Sequence, residues 1–131
     1  MAAPEYAIGT TLAAPYDQVV LRVKQALKDE GFGVMSEIDV QAALKEKLDV
    51  EGGRYLIIGA CNPSLAHEAL QAEPDLGVFL PCNVIVFEAP DGTHVSAVDP
   101  QSMLGAIENP VLEQIAAEVK RRFTRVIAAL G

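Results

Sequence analysis

"LGVFLPCNVIVFEAPDGTHVSAV", residues 76–98, decides the class of fold. The run is too long and too apolar for a loop. Its second half, "THVSAV", alternates in the way of a half-buried strand. Pro90, Asp91 and Gly92 between the halves form a turn signal, so two strands fold back on each other as a hairpin. Proline cannot donate to a strand ladder, so Pro81 marks an interruption within the first strand. Consecutive hairpin strands are antiparallel and suit a layered α+β domain.

Upstream, "RYLIIGA" is a continuous apolar run and reads as a buried strand entered through the turn "EGG". Between these strands, "PSLAHEALQA" reads as a short helix that ends before Glu73-Pro74, because a residue preceding proline avoids the α region. Asn62 and Pro63 are a natural N-cap and first helical residue, and the pair recurs as Asn109-Pro110 before the last helix. That last helix carries an apolar stripe of Leu112, Ile115, Ala116, Val119, Phe123, Val126, Ile127 and Leu130. Near the start, residues 5–12 have strand character. A helix follows from Pro15, with Tyr16, Val20, Val23 and Leu27 on one stripe and Gly31 as its stop. "FGVMSEI" is a short strand. Asp39 caps a helix in which Val40, Ala43, Leu44 and Leu48 share a face, and "QSMLGAI" is a helical turn or short helix. The expected fold is α+β in two layers, a sheet with helices packed on one face, in the order β-α-β-α-β-α-β-β-α.

The 131 residues suffice for one domain with a proper core and are too few for two, so residues 1–131 read as a single domain. A net charge of −8 argues against nucleic acid or an anionic membrane surface as partner. All ten basic residues lie within 22–54 or 120–125. The stretch between holds nine acids from Glu68 to Glu118, so an anionic ligand there would depend on backbone N–H groups or a cation from elsewhere in the fold. The start, "MAAPEYAIGTTL", lacks the basic and apolar regions of a secretory signal, and no apolar run is long enough to span a membrane. Two cysteines without an export signal point to the cytoplasm and free thiols, with a Cys61–Cys82 disulfide as the lesser alternative.

Three segments, "GFGVMSEIDVQAALKEKL", "GACNPSLAHEALQAEPDLGVFLPCNVIVFE" and "VSAVDPQSML", together resemble the bacterial and archaeal family known as domain of unknown function 302. The match covers roughly residues 32–104, and the flanking strand and helices are consistent with it. The resemblance implies a compact α+β domain, a stand-alone cytoplasmic protein and a homodimer. It implies no activity, because the family has no generally assigned one.

The candidate chemistry centres on two Cys-Asn pairs. Cys61 stands at a strand end just before a helix N-terminus, where the helix dipole and unpaired N–H groups favour an anion. A thiolate there would have a lowered pKa. The same geometry binds phosphate or carboxylate. The alternative is a small buried hydrophobe beside a capping residue. Asn62 is explained by the cap. Asn83, within "FLPCNVIVF", is the odd polar residue of an apolar strand, and a buried amide needs partners. These are either backbone left unpaired near Pro81 or a ligand. Cys61, His67 and Cys82 are the soft or borderline ligands of this region and form a candidate set for zinc or copper. A haem iron would need only one or two of them. The spacing lacks CxxC, HExxH and a tight His pair, so it is not a metal motif. His94, beside the hairpin turn, is expected to be exposed. Capping explains Asp39, and an Asp-Pro turn explains Asp99. Glu37 has no such account. Lys45 and Lys47 read as a solvated helix face, and so do Lys120, Arg121 and Arg122. "EGGR" is no phosphate loop.

Three functions remain. The first is a small-ligand or cofactor-binding domain with its site at Cys61, Asn62, His67, Cys82 and Asn83. The second is a thiol-dependent enzyme or sulfur or redox carrier using Cys61. The third is a structural interaction module with inert, buried cysteines.

Overall fold

The computed structural model describes residues 4–131. Its elements run β1 (Ala7–Leu12), α1 (Tyr16–Asp29), β2 (Gly33–Asp39), α2 (Val40–Leu48), β3 (Tyr55–Cys61), α3 (Pro63–Ala72), a 3-10 helix (Pro74–Phe79), β4 (Cys82–Ala89), β5 (Gly92–Val98), α4 (Pro100–Leu104) and α5 (Pro110–Ala129). The strands form one five-stranded sheet in the order β1-β5-β4-β3-β2, with every neighbouring pair antiparallel. The fold is α+β, as the hairpin implied.

Strand alternation and register sort the sheet into two faces. Ala60 pairs with Cys82, Ile58 with Val84, and Leu56 with Val86. On the other side of β4, Val84 pairs with Ala97 and Val86 with Val95. These rows give the helix-covered face. Against it α1 buries Val19, Val23, Ala26 and Leu27, and α5 buries its stripe from Leu112 to Ile127. Phe123 is fully buried and stacks on Phe32 with ring centroids 4.7 Å apart. Each buried Val, Leu, Ile or Phe among these contributes about 1.5–3 kcal/mol by leaving water, so the long α5 stripe is the main anchor of the helical layer. Gly92 closes the hairpin at φ 146, and a Cβ there would lie 2.1 Å from the Leu12 carbonyl oxygen. Only glycine fits at that position.

Two sequence expectations change. Residues 76–79 are not the beginning of the hairpin strand: they finish the 3-10 helix, and β4 starts at Cys82 after Pro81. Pro74 at the first turn and Gly77 within it favour the tight turn over extension. The stripe of Val40, Ala43, Leu44 and Leu48 forms on α2 as expected, but α2 buries none of its residues. The adjoining β2 is exposed along its whole length, so residues 33–54 contribute no buried side chain.

Candidate functional site

The strand-to-helix junction forms as the sequence suggested. Cys61 is the last residue of β3, and Asn62 caps α3 with Pro63 in the first turn. The Asn62 side-chain oxygen accepts from the Leu65 N–H at 3.0 Å, and its amide nitrogen donates to the Gly31 carbonyl at 3.1 Å. Both ends of this amide are thus engaged in tying the start of α3 to the end of α1. The cap also consumes one of the N–H groups that an anion would have used. Cys61 is half-buried, and burial pushes its thiol above the ordinary value. The expected lowering by the helix terminus is therefore overturned in direction: desolvation disfavours the thiolate.

Cys82 lies on the helix-covered face, one register position from Cys61 and not bridged to it. Its thiol is pushed up to about 11, first by burial and then by the neighbouring Cys61. Both cysteines line a partly open cavity of about 40 Å³ bounded by the ends of β3 and β4 and by α3, α4 and α5. Leu65, Leu76, Met103 and Ile115 are typical of its wall. Apart from the two thiols and the engaged Asn62 amide, it offers no polar side chain.

His67 and Asn83 do not join them. His67 is exposed on α3 and is not part of the cavity wall. Among the described residues, no three His, Cys, Asp or Glu side chains stand close enough to hold a metal ion. The set Cys61, His67 and Cys82 is not a ligand cage: α3 carries His67 to its solvent side. A space of about 40 Å³ holds a few heavy atoms rather than a porphyrin. Asn83 is exposed, not buried, because it is one residue out of phase with Cys82 and Val84 and so points away from the helices. There it borders an open depression with Pro81 and Phe79. Its polarity needs no hidden partner.

Three polar residues prove more ordered than the sequence suggested. His94 is only 4% exposed. Its Nδ1 lies 2.9 Å from the Thr11 hydroxyl and its Nε2 lies 3.0 Å from the Ser96 hydroxyl, while its ring tilts against Phe87 at 4.9 Å. β5 is the strand between β1 and β4, and this interior position buries a residue that sequence proximity to a turn had placed in solvent. Gly9 makes room for the cluster, since a Cβ there would come 2.5 Å from the Ser96 oxygen. The signal was present in "THVSAV", where His94 and Ser96 share a face at i and i+2.

Asp99 is buried and accepts from the Gln101 and Ser102 N–H groups at 2.9 and 3.3 Å, and it pairs with Lys120 at 2.9 Å. Burial raises its pKa, but the Lys120 ammonium and the two amides outweigh this and hold the carboxyl below its ordinary value. Glu37 gains its missing account from α1, where Lys24 meets it at 2.6 Å. Lys45 pairs with Asp49 and Glu51. Arg121 and Arg122 both pair with Glu118, and Arg122 also donates to the Glu30 carbonyl at the end of α1. These cations serve the fold's surface.

No helix among the described residues is long and apolar enough to cross a membrane. The sequence profile of the family described as Domain of unknown function DUF302 matches residues 8–130. A crystal structure of an uncharacterized conserved protein DUF302 from Bacillus stearothermophilus is similar to this chain at a TM-score of 0.90 and 26% identity, over 98% of this chain and 100% of that one. No curated protein matches the chain. With the profile spanning β1 to the end of α5, the chain belongs to the DUF302 family.

Proposed function

We propose that this protein binds a small apolar ligand in the cavity lined by Cys61 and Cys82. One observation carries the reading: two chain-distant cysteine segments converge on a space whose wall is otherwise apolar and which the core leaves unfilled. Interiors are packed to crystal-like density, so a void at a junction of five elements is a site where a ligand gains contacts at little cost. The donor set favours a nonpolar occupant over a metal or an anion. Both thiols are shifted away from the thiolate, which removes support from a nucleophilic or sulfur-carrying Cys61. Free, protonated cysteines also suit a reducing, cytoplasmic setting, which is part of the proposal.

Xenon, an apolar atom small enough for this space, is the direct probe. Pressurising the protein with xenon is expected to shift amide NMR signals near Cys82 and Leu65 saturably. The Ala66→Leu variant fills the cavity and is expected to abolish the shifts while remaining folded. Shifts that stay linear in pressure, or that persist in Ala66→Leu, would sink the reading.

A second reading concerns assembly and rests on a different observation, the absence of any buried residue in 33–54. β2 is an edge strand with Met35 and Ile38 exposed, and α2 presents Leu44 and Leu48 to solvent. An apolar edge strand beside an unpacked amphipathic helix is a surface that a second copy can cover, and two-fold symmetry covers both copies at once. We take the protein to be a homodimer through this unit. Sedimentation at micromolar concentration is expected to give the dimer mass, and Ile38→Asp the monomer. A monomeric wild type would refute it.

A further inference from the structure

The Cys82 cavity does not end at its own wall. A second, open space of about 180 Å³ lies between α4 with the loop that follows it and the first turns of α5, lined by Gln101, Gly105, Ile107, Leu112 and Glu113. Leu104 and Ala116 line both spaces. Ala116 belongs to the 20-residue α5, whereas Leu104 is the last residue of the five-residue α4. Residues 100–108 form a short strap between two fixed caps. At one end Asp99 is held by Lys120, and at the other Asn109 caps α5 and donates to Glu73 at 3.3 Å. Lys120 also donates to Gln101 at 3.2 Å, and Pro100 is fully buried, so the Asp99 end is the firmer anchor. Beyond it the strap has little core of its own: Met103 and Leu104 are only half-buried, and Gly105 and Ala106 are exposed.

We infer that the two spaces are one binding site divided by the Leu104 side chain, and that Leu104 is its gate. A rotamer change at Leu104 joins them, since the outer space already exists to receive the displaced isobutyl group. The joined site is apolar at its Cys82 end and polar at its mouth, where Glu113 has no ion-pair partner among the described residues and Gln101 offers an amide. That gradient selects a compact molecule with an apolar body and a neutral or cationic head, and it disfavours an anionic head. This inference rests on the Cys82 cavity being a ligand site, and it adds the route of entry and the class of ligand.

Cys82 is a built-in reporter, because it is only 9% exposed and a reagent that alkylates it in the folded protein must enter the cavity. Iodoacetamide labelling followed by peptide mapping reads Cys61 and Cys82 separately. In Leu104→Ala, Cys82 is expected to label at least about tenfold faster than the change in global unfolding measured in urea accounts for, with Cys61 unchanged. Benzyl alcohol is expected to slow Cys82 labelling in the wild type. Benzoate should need at least about fivefold more to do so, and Glu113→Gln should narrow that gap. If Cys82 labelling in Leu104→Ala rises only as far as global unfolding rises, the gate is overturned. If benzyl alcohol gives no protection, or benzoate protects equally well, the assigned ligand class is overturned. Xenon binding in the inner cavity is independent of both outcomes. A positive xenon result with a failed gate would therefore leave the cavity reading intact, and a negative one would remove its basis.

Discussion

In β5, residues 93–97 are all buried, polar and apolar alike, while in β2 and α2, residues 33–48 include no buried side chain. The two regions are equally well formed as secondary structure. β2 pairs with β3 from Gly33 to Asp39, and α2 is capped by Asp39 through the Ala42 N–H at 2.9 Å and carries apolar residues at helical period. The difference is position. β5 lies inside the sheet, with α5 over Val95 and Ala97 on one face. On the other face His94 and Ser96 are enclosed among Thr11, Gly9 and Phe87 and satisfy each other's hydrogen-bonding groups. β2 is the last strand, and α2 hangs from it without reaching the core. Local pattern builds an element, and neighbours decide whether that element stabilises the monomer.

The contrast can be broken at four places, of decreasing effect. Phe123→Ala strikes the centre of the enclosed region and is expected to cost about 3–5 kcal/mol, read as a lowered urea midpoint. A loss below about 1 kcal/mol would show that α5 is not the anchor of the layer. Gly92→Ala forces a side chain toward the Leu12 carbonyl at a φ that L-residues avoid. It is expected to cost about 2–3 kcal/mol and to weaken the β1–β5 edge first, which hydrogen exchange of β1 amides would reveal.

Acid supplies the third test. Burial depresses the pKa of His94, so the unfolded chain binds its proton more readily than the folded one. Stability from this residue is present above the ordinary histidine value of 6.5 and is lost as pH falls through the lower folded value. Asp99 is also depressed, so its contribution persists down to the ordinary carboxylate value of 3.8 and disappears only as pH falls through its still lower folded value. Two separate losses are expected in urea midpoints against pH. His94→Gln should remove the upper one and Lys120→Met should shrink the lower one. A single loss untouched by His94→Gln would contradict the enclosed state of β5.

The smallest effect belongs to the open region. Leu48→Ala and Ile38→Ala are expected to change monomer stability by no more than about 0.5 kcal/mol, because both side chains stay more than half exposed in the folded monomer. Because the proposed second copy covers this surface, the Tm of either variant is also expected to fall further below that of the wild type in a concentration-dependent way, as mass action requires. A difference independent of concentration would contradict the dimer.

The turn at Pro90–Gly92, the caps at Asn62, Asp39 and Asn109, and the apolar stripe of α5 were legible in residue order, because each depends on atoms within a few positions of one another. The α+β class followed from them. Cys61 and Cys82 were legible as a pair worth attention, and their segments do share one cavity wall. His67 and Asn83 were not separable from them by sequence, since helical phase and strand alternation turn those two side chains away only once the sheet is assembled. The same holds for His94, for the Lys24–Glu37 and Lys120–Asp99 pairs, and for Leu104 between two spaces. Sequence by itself determined the elements, whose physics is short-ranged. Strand order, the burial that raises both thiols, and the cavity belong to the tertiary structure, because desolvation and packing depend on which distant segments arrive at the same place.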